Sequence, residues 1–74
     1  MNEMIVHDAS VLLYEHKVTD KNMQKDFLER YFDDTQREEL EKIMKHFGVG
    51  YDCDFNKLQL MVSEENKKNN FQIM

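Results

Sequence analysis

The chain contains no proline and no tryptophan, and it has only two glycines and one cysteine among its 74 residues. Because Cys53 has no second cysteine to pair with, the chain cannot form an internal disulfide, which is typical of a reducing compartment. No apolar run approaches the roughly 20 residues that span a bilayer, and no basic-then-apolar leader opens the sequence. We therefore expect a cytoplasmic protein that does not enter a membrane.

The length sets a second limit, because 74 residues build a single domain with a small core. A core of this size adds little stability, so contact with a partner or a second copy would supply useful further burial. We expect one globular domain over residues 1–63, followed by a polar linker and an apolar C-terminal tail over residues 64–74.

Residue patterns that carry catalysis or hold cofactors are also missing. The three histidines lack the spacing of a zinc site, and both glycines lie in one short bend rather than in a phosphate-binding loop. Cys53 stands between Asp52 and Asp54, whose charges disfavour a reactive thiolate. A chain this short also has little room to enclose a substrate. We predict that the protein is not an enzyme and uses no cofactor or metal.

The clearest structural pattern lies between Thr35 and Gly48. Thr35 and Glu38 match a capping box at a helix start, and Gly48 is suited to end the helix in the left-handed conformation. Four apolar residues share one helix face at the spacing i, i+3, i+4 and i+7: Leu40, Ile43, Met44 and Phe47. The pattern predicts a helix over residues 35–47.

A second helix precedes it. Thr19 or Asp20 can cap its start, and it ends near Phe32. Its apolar stripe contains Met23, Phe27, Leu28, Tyr31 and Phe32. A tight connection at Asp33 and Asp34 then predicts an αα-hairpin, and we expect the joint stripe of its two helices to form the core.

The first 18 residues contain two short apolar runs. Met4, Ile5 and Val6 resemble a short strand. The run from Val11 to Tyr14 suits either a strand or a helix, because a run of four residues has no diagnostic period. We expect a strand followed by a helix through Lys17.

Beyond Gly48 the apolar residues alternate with polar ones. A β-turn at Asn56-Lys57 would pair six of them on one face: Tyr51 with Val62, Cys53 with Leu60, and Phe55 with Leu58. The alternative is a helix from Asp54 that turns four residues inward and leaves Leu60 outside; the four are Phe55, Leu58, Met61 and Val62. We favour the hairpin, which predicts an α+β fold with the αα-hairpin packed on a C-terminal β-hairpin. The alternative is an all-α helical bundle.

The net charge of −5 is concentrated in the middle of the chain. Residues 26–41 hold seven acids and two bases, whereas the acids and bases elsewhere cancel. Acids near a helix start can simply be a solvated face that the helix dipole favours. The alternative is an electronegative surface for a basic partner. The residues that we expect at a partner surface are Asp33, Asp34, Glu38, Glu39, Phe71 and Ile73.

Together these features favour a small acidic module that binds another protein, one with a basic surface. Frequent Lys, Asn, Glu, Met and Phe without Pro or Trp is typical of short phage and bacterial proteins, which often inhibit or modulate a host macromolecule. The tail also predicts a homodimer, because Phe71 and Ile73 could add as a strand to a neighbouring hairpin.

A winged-helix DNA-binding regulator is the alternative function, since helices followed by a β-hairpin is the order of its elements. Its recognition helix would be the one over residues 35–47. That helix holds three acids beside three bases, whereas a basic stripe is the usual mark of DNA binding. We therefore do not expect a nucleic acid partner.

Overall fold

The fold is an all-α bundle built around its first helix. The computed structural model describes the backbone of residues 1–73 and the side chains of residues 1–68. Its elements are α1 (Glu3–Glu15), a 3₁₀ helix (Lys21–Met23), α2 (Gln24–Tyr31), α3 (Asp34–Phe47) and α4 (Phe55–Ile73). Helix α1 packs against each of the other three, and most extensively against α4. None of the helices in this part of the chain is long and apolar enough to cross a membrane.

The predicted α+β fold is wrong, because none of the residues that the structure describes forms a strand. The all-α alternative is correct. Residues 55–63, expected in the β-hairpin, begin α4, where Phe55, Leu58 and Val62 are buried at helical spacing. Leu60, which the hairpin register turned inward, is 68% exposed. The described residues also contain no β-hairpin that could serve as the wing of a winged helix.

Asp54 is the local cause of the helix. Its carboxylate accepts hydrogen bonds from the backbone N–H groups of Asn56 at 3.0 Å and Lys57 at 3.3 Å. Its carbonyl accepts from the N–H of Leu58 at 3.0 Å. These contacts satisfy donors that would otherwise be unpaired at a helix start. The Asn56-Lys57 pair therefore lies in the first turn of α4 and not in a β-turn.

The strand expected at residues 4–6 is wrong as well, because these residues lie in the first turn of α1. Asn2 caps the helix by accepting from the N–H of Met4 at 3.0 Å. The buried face of α1 consists of Ile5, Val6, Ala9 and Leu13. This spacing fits one helix face, whereas in a strand Ile5 and Val6 would point to opposite sides.

Lys17 follows α1 by two residues and adopts a backbone conformation that is usually occupied by glycine. Its φ is +57°, in the left-handed region. The N–H of Val18 bonds to the carbonyl of Leu13 at 2.9 Å, and the N–H of Lys17 bonds to that of Tyr14 at 3.1 Å. This pair of bonds is a Schellman ending. It turns the chain sharply toward the 3₁₀ helix and α2.

The predicted helix over residues 35–47 is confirmed, with an earlier start at Asp34. Its capping box uses Asp33 and Gln36 in place of Thr35 and Glu38. The Asp33 carboxylate accepts from the N–H of Gln36 at 2.8 Å, and the Gln36 side chain accepts from the N–H of Asp33 at 2.9 Å. Gly48 ends the helix as predicted, with a φ of +70°.

The second predicted helix is confirmed as α2, but its buried face differs from the predicted stripe. Leu28 and Phe32 are buried, whereas Met23 is 60% and Tyr31 is 49% exposed. The polar residue Gln24 is only 7% exposed and occupies the buried face instead. The apolar row of Met23, Phe27 and Tyr31 therefore follows one flank of α2, at the surface.

Substitutions at two leucines of α4 distinguish the helical structure of this segment from the β-hairpin. Leu58→Ala should lower the free energy of unfolding by about 2–5 kcal/mol, because Leu58 is 2% exposed. Leu60→Ala should change it by less than about 1 kcal/mol, since the side chain already faces solvent. Urea denaturation of both variants measures the difference. Equal large losses would mean that Leu60 is buried, as in the hairpin.

Candidate functional site

The four acidic residues expected to bind a partner lie at the start of α3 and differ in their exposure and contacts. Asp33 caps α3, and Asp34 forms an ion pair with Arg37. Glu38 is exposed, whereas Glu39 is half-buried. Glu39 lies five residues after Asp34, which places it about 140° away around the helix. Two of the acids therefore stabilise the start of α3, and the other two point in different directions.

Arg37 partly neutralises the acidic region between α2 and α3. Its guanidinium contacts Asp34 and lies 3.9 Å from the carboxylate of Glu29. The hydrogen bond to Asp34 raises the pKa of Arg37. Its Nε is shielded from solvent and has no hydrogen-bond partner among the described residues. Arg37 is thus packed as part of the fold, and its charge offsets that of Asp34 and Glu29 locally.

The remaining two predicted site residues, Phe71 and Ile73, lie near the end of α4. The α4 backbone continues through residues 64–73, but the side chains of Phe71 and Ile73 lie outside the described residues. Their expected role as an added strand needs a sheet edge. The described part of the chain contains no sheet, so this route to a dimer is not available there.

Three rings that the sequence does not place together meet at the surface between α1 and α2. The centroid of the His16 ring lies 5.1 Å from that of Phe27 and 5.0 Å from that of Tyr31. The Phe27 and Tyr31 centroids are 4.7 Å apart. The rings are tilted against one another, and a contact such as that of Phe27 with Tyr31 adds about 0.5–1.5 kcal/mol beyond area burial. The ring cluster of His16, Phe27 and Tyr31 is therefore an ordered feature of the surface.

An open groove of about 350 Å³ lies beside the ring cluster, and we call it the α1–α3 groove. It is lined by His7, Asp8, Val11, Leu12, Tyr31, Phe32 and Gln36. Four of these residues are apolar or aromatic, and we call this group the floor of the groove: Val11, Leu12, Tyr31 and Phe32. Asp8 stands on the α1 side, and Gln36 on the α3 side is hydrogen-bonded to Asp33. The groove thus brings a predicted acidic site residue next to an apolar surface.

A larger hollow of about 520 Å³ separates the end of α1 from the start of α4. Its walls mix charged, polar and apolar side chains, including Tyr14, Lys17 and Lys21. The N–H groups at the start of α4 are already bonded to Asp54, and the Ser10 hydroxyl bonds to Asn56. The backbone N–H groups that could bind an anion there are therefore engaged within the protein.

The residues most often used in catalysis lie far apart in separate contacts. His7 Nδ1 and Gln59 Nε2 are 2.9 Å apart, and His46 Nε2 lies 3.7 Å from a carboxylate oxygen of Glu65. Burial, followed by the charge of Asp52, raises the pKa of the Cys53 thiol, which confirms the predicted bias against the thiolate. Among the described residues, no group of three or more His, Cys, Asp or Glu side chains could hold a metal ion.

Gln24 is the buried polar residue that connects the loop before α4 to α2. Its Nε2 donates to the carbonyl of Tyr51 at 2.7 Å and to that of Cys53 at 3.0 Å. Buried carbonyls that lose their partner cost about 1–3 kcal/mol. This side chain therefore holds residues 51–53 against α2, which positions the start of α4.

We expect Gln24→Met to lower the free energy of unfolding by about 1–3 kcal/mol, because methionine has similar length and no N–H to donate. Gln59→Met is the matched control, since the Gln59 side chain bonds only to exposed His7. It should change stability by less than about 1 kcal/mol. Denaturation in urea measures both. Similar effects of the two substitutions would contradict the role assigned to Gln24.

The raised pKa of Tyr51 makes the stability of the protein depend on pH. Burial, then the charge and hydrogen bonding of Glu41, raise the pKa of Tyr51 to about 12, against the opposing charge of Arg37. The folded chain therefore keeps the phenolic proton over an interval in which the unfolded chain has lost it. Stability should fall as the pH rises from about 10 to about 12. Tyr51→Phe should reduce this fall.

Tyr14→Phe is the control for this experiment, because Tyr14 is 85% exposed and should leave the fall unchanged. The free energy of unfolding of the three proteins, measured by urea denaturation across this pH interval, tests the expectation. An equal fall in the wild type and in Tyr51→Phe would show that other groups cause it.

No family model, no curated protein and no solved structure matches the chain. The function proposed below therefore rests on the geometry of the described residues.

Proposed function

We propose that the chain is a small non-enzymatic module that binds another protein through the α1–α3 groove. The observation that supports this proposal is the apolar floor of the groove, which is open to solvent at Val11, Leu12 and Tyr31. An apolar concave surface with an exposed tyrosine is a common site for the central side chain of a partner. The partner would insert an apolar side chain there.

Charge defines the kind of partner. Asp8 is exposed on the α1 side of the groove, and Asp33 retains a carboxylate on the α3 side. A basic residue beside the inserted apolar side chain would therefore meet complementary charge. The net charge of −5 would also speed the approach of a basic protein at low salt. We propose a partner with a basic surface, bound in the cytoplasm.

The proposed outcome of binding is modulation or inhibition of that partner. His7, His16 and His46 are engaged with different groups, which favours binding over catalysis. A short chain that covers a surface can block access to it without chemistry of its own. An origin in a phage or bacterium stays part of this proposal and rests on composition.

The proposal is tested by partner capture with two matched variants. Val11→Lys puts a cation on the groove floor, where it would repel a basic partner and remove apolar contact. Leu60→Lys makes the same kind of change at an exposed residue of α4 that does not line the groove. Proteins captured from the native host by the wild type and each variant are quantified by mass spectrometry.

We expect a protein that the wild type and Leu60→Lys retain, and that Val11→Lys loses by at least about tenfold, equivalent to 1.4 kcal/mol. Its retention should also fall as salt is raised. Circular dichroism must show that both variants keep their helices. Equal capture by all three proteins would contradict binding at this groove.

A further inference from the structure

A second surface lies on the other side of the ring cluster, along the outer flank of α2. We call it the α2 flank and define it by Met23, Asp26, Phe27 and Arg30. Met23 is 60% exposed, Phe27 is half-buried, and both charged residues are exposed. All four line a shallow hollow of about 300 Å³, whose other wall is formed by residues after α1: Lys17, Val18, Thr19 and Asp20. This surface is apolar along its centre and has space for a side chain.

The charges of the α2 flank are not used within the chain. Among the described residues, neither Asp26 nor Arg30 takes part in an ion pair or a side-chain hydrogen bond. They are four residues apart and so lie in one row along the helix, parallel to the row of Met23, Phe27 and Tyr31. One acid and one base thus border an apolar row whose middle residue is Phe27.

This order of residues is complementary to itself when the helix is reversed. A two-fold axis through the middle of α2 runs the helix antiparallel to its copy. Phe27 then meets Phe27 of the second copy, and Met23 meets its Tyr31. The same rotation brings Asp26 opposite Arg30 of the second copy, and Arg30 opposite its Asp26. A single symmetric contact therefore forms two ion pairs, each between Asp26 of one copy and Arg30 of the other, and it covers the apolar row.

We propose that the α2 flank binds a second copy of this chain, forming a symmetric dimer with Asp26 and Arg30 paired across the two-fold axis. The contact involves one short helix and its borders, so it belongs to the small end of specific interfaces. Dimerisation is accordingly weak and depends on concentration. Mixed charges of opposite sign in matching positions select this copy over a uniformly acidic or basic surface.

The proposal goes beyond the binding of another protein at the α1–α3 groove. The two surfaces share Tyr31, which lines the groove and meets Met23 of the second copy, so each surface is tested at residues that belong to it alone. Val11 lines the groove and does not line the hollow of the α2 flank. Loss of partner capture in Val11→Lys and loss of the dimer in variants of the α2 flank are therefore independent results.

Charge reversal tests the pairing directly. Asp26→Arg places two bases opposite each other at both ends of the contact, and Arg30→Asp places two acids there. Each variant alone should dimerise at least about tenfold more weakly than the wild type. An equimolar mixture of the two variants restores opposite charges at both positions. It should form a mixed dimer within about threefold of the wild-type affinity.

Sedimentation equilibrium over about 1 µM to 1 mM measures these dissociation constants, which covers weak self-association. Circular dichroism checks the fold of each variant, and recovery in the mixture is itself possible only for folded chains. Met23→Asp provides a second variant on the apolar row. Met4→Asp is its matched control, because Met4 is 64% exposed on α1 and does not line the hollow.

Met23→Asp should weaken the dimer at least about tenfold, while Met4→Asp should leave it unchanged. A wild-type protein that remains monomeric up to about 1 mM would overturn the proposal. So would a dimer that both charge reversals and Met23→Asp leave intact, since its interface would lie elsewhere. Failure of the mixture to recover would overturn the pairing of Asp26 with Arg30.

Discussion

The packing of α4 on α1 is the contact on which the other features depend. Phe55, Leu58 and Val62 are buried against the apolar face of α1. Hydrogen bonds join the same two helices along one side, from Ser10 to Asn56, between His7 and Gln59, and from Asn66 to Glu3. The order of these pairs shows that the helices run antiparallel.

This contact decides which parts of the molecule remain open. Because α4 occupies one side of α1, helices α2 and α3 must pack on another. The strip of α1 that carries Asp8 and Val11 then borders α2 and the start of α3, which creates the α1–α3 groove. Both candidate binding surfaces thus result from the way α2, α3 and α4 pack around α1, and neither is formed by an insertion in the fold.

The sequence predicted the helices with local signals and failed where two periods fitted the same residues. Gly48 and the apolar face of α3 identify that helix without tertiary information. In α4, however, Phe55, Leu58 and Val62 lie inward both in a hairpin and in a helix. Burial distinguishes the two at Leu60, which the hairpin turns inward, and at Met61, which the helix turns inward. The cap at Asp54 is the local signal that favours the helix.

The candidate site could be predicted only in part for a related reason. Asp33 lies beside the α1–α3 groove, but its charge alone does not indicate an apolar floor. The spacing of Phe27 and Tyr31 predicted an apolar row, and tertiary packing placed that row at the edge of the core because Gln24 and Leu28 occupy the buried face. His16 lies at the end of α1, so its contact with Phe27 and Tyr31 cannot be predicted from the spacing of residues within α2.

The left-handed residue at the end of α1 has a consequence for how this protein could change. A side chain at a positive φ costs about 1–2 kcal/mol relative to an ordinary helical conformation, and Lys17 carries that cost where glycine would avoid it. The turn it makes directly follows His16 and so holds the ring cluster in position. Replacing Lys17 with glycine at this exposed turn would therefore increase the stability of the fold. Substitutions that weaken the small core, as new binding specificity often requires, could be compensated there without altering the α1–α3 groove, which Lys17 does not line.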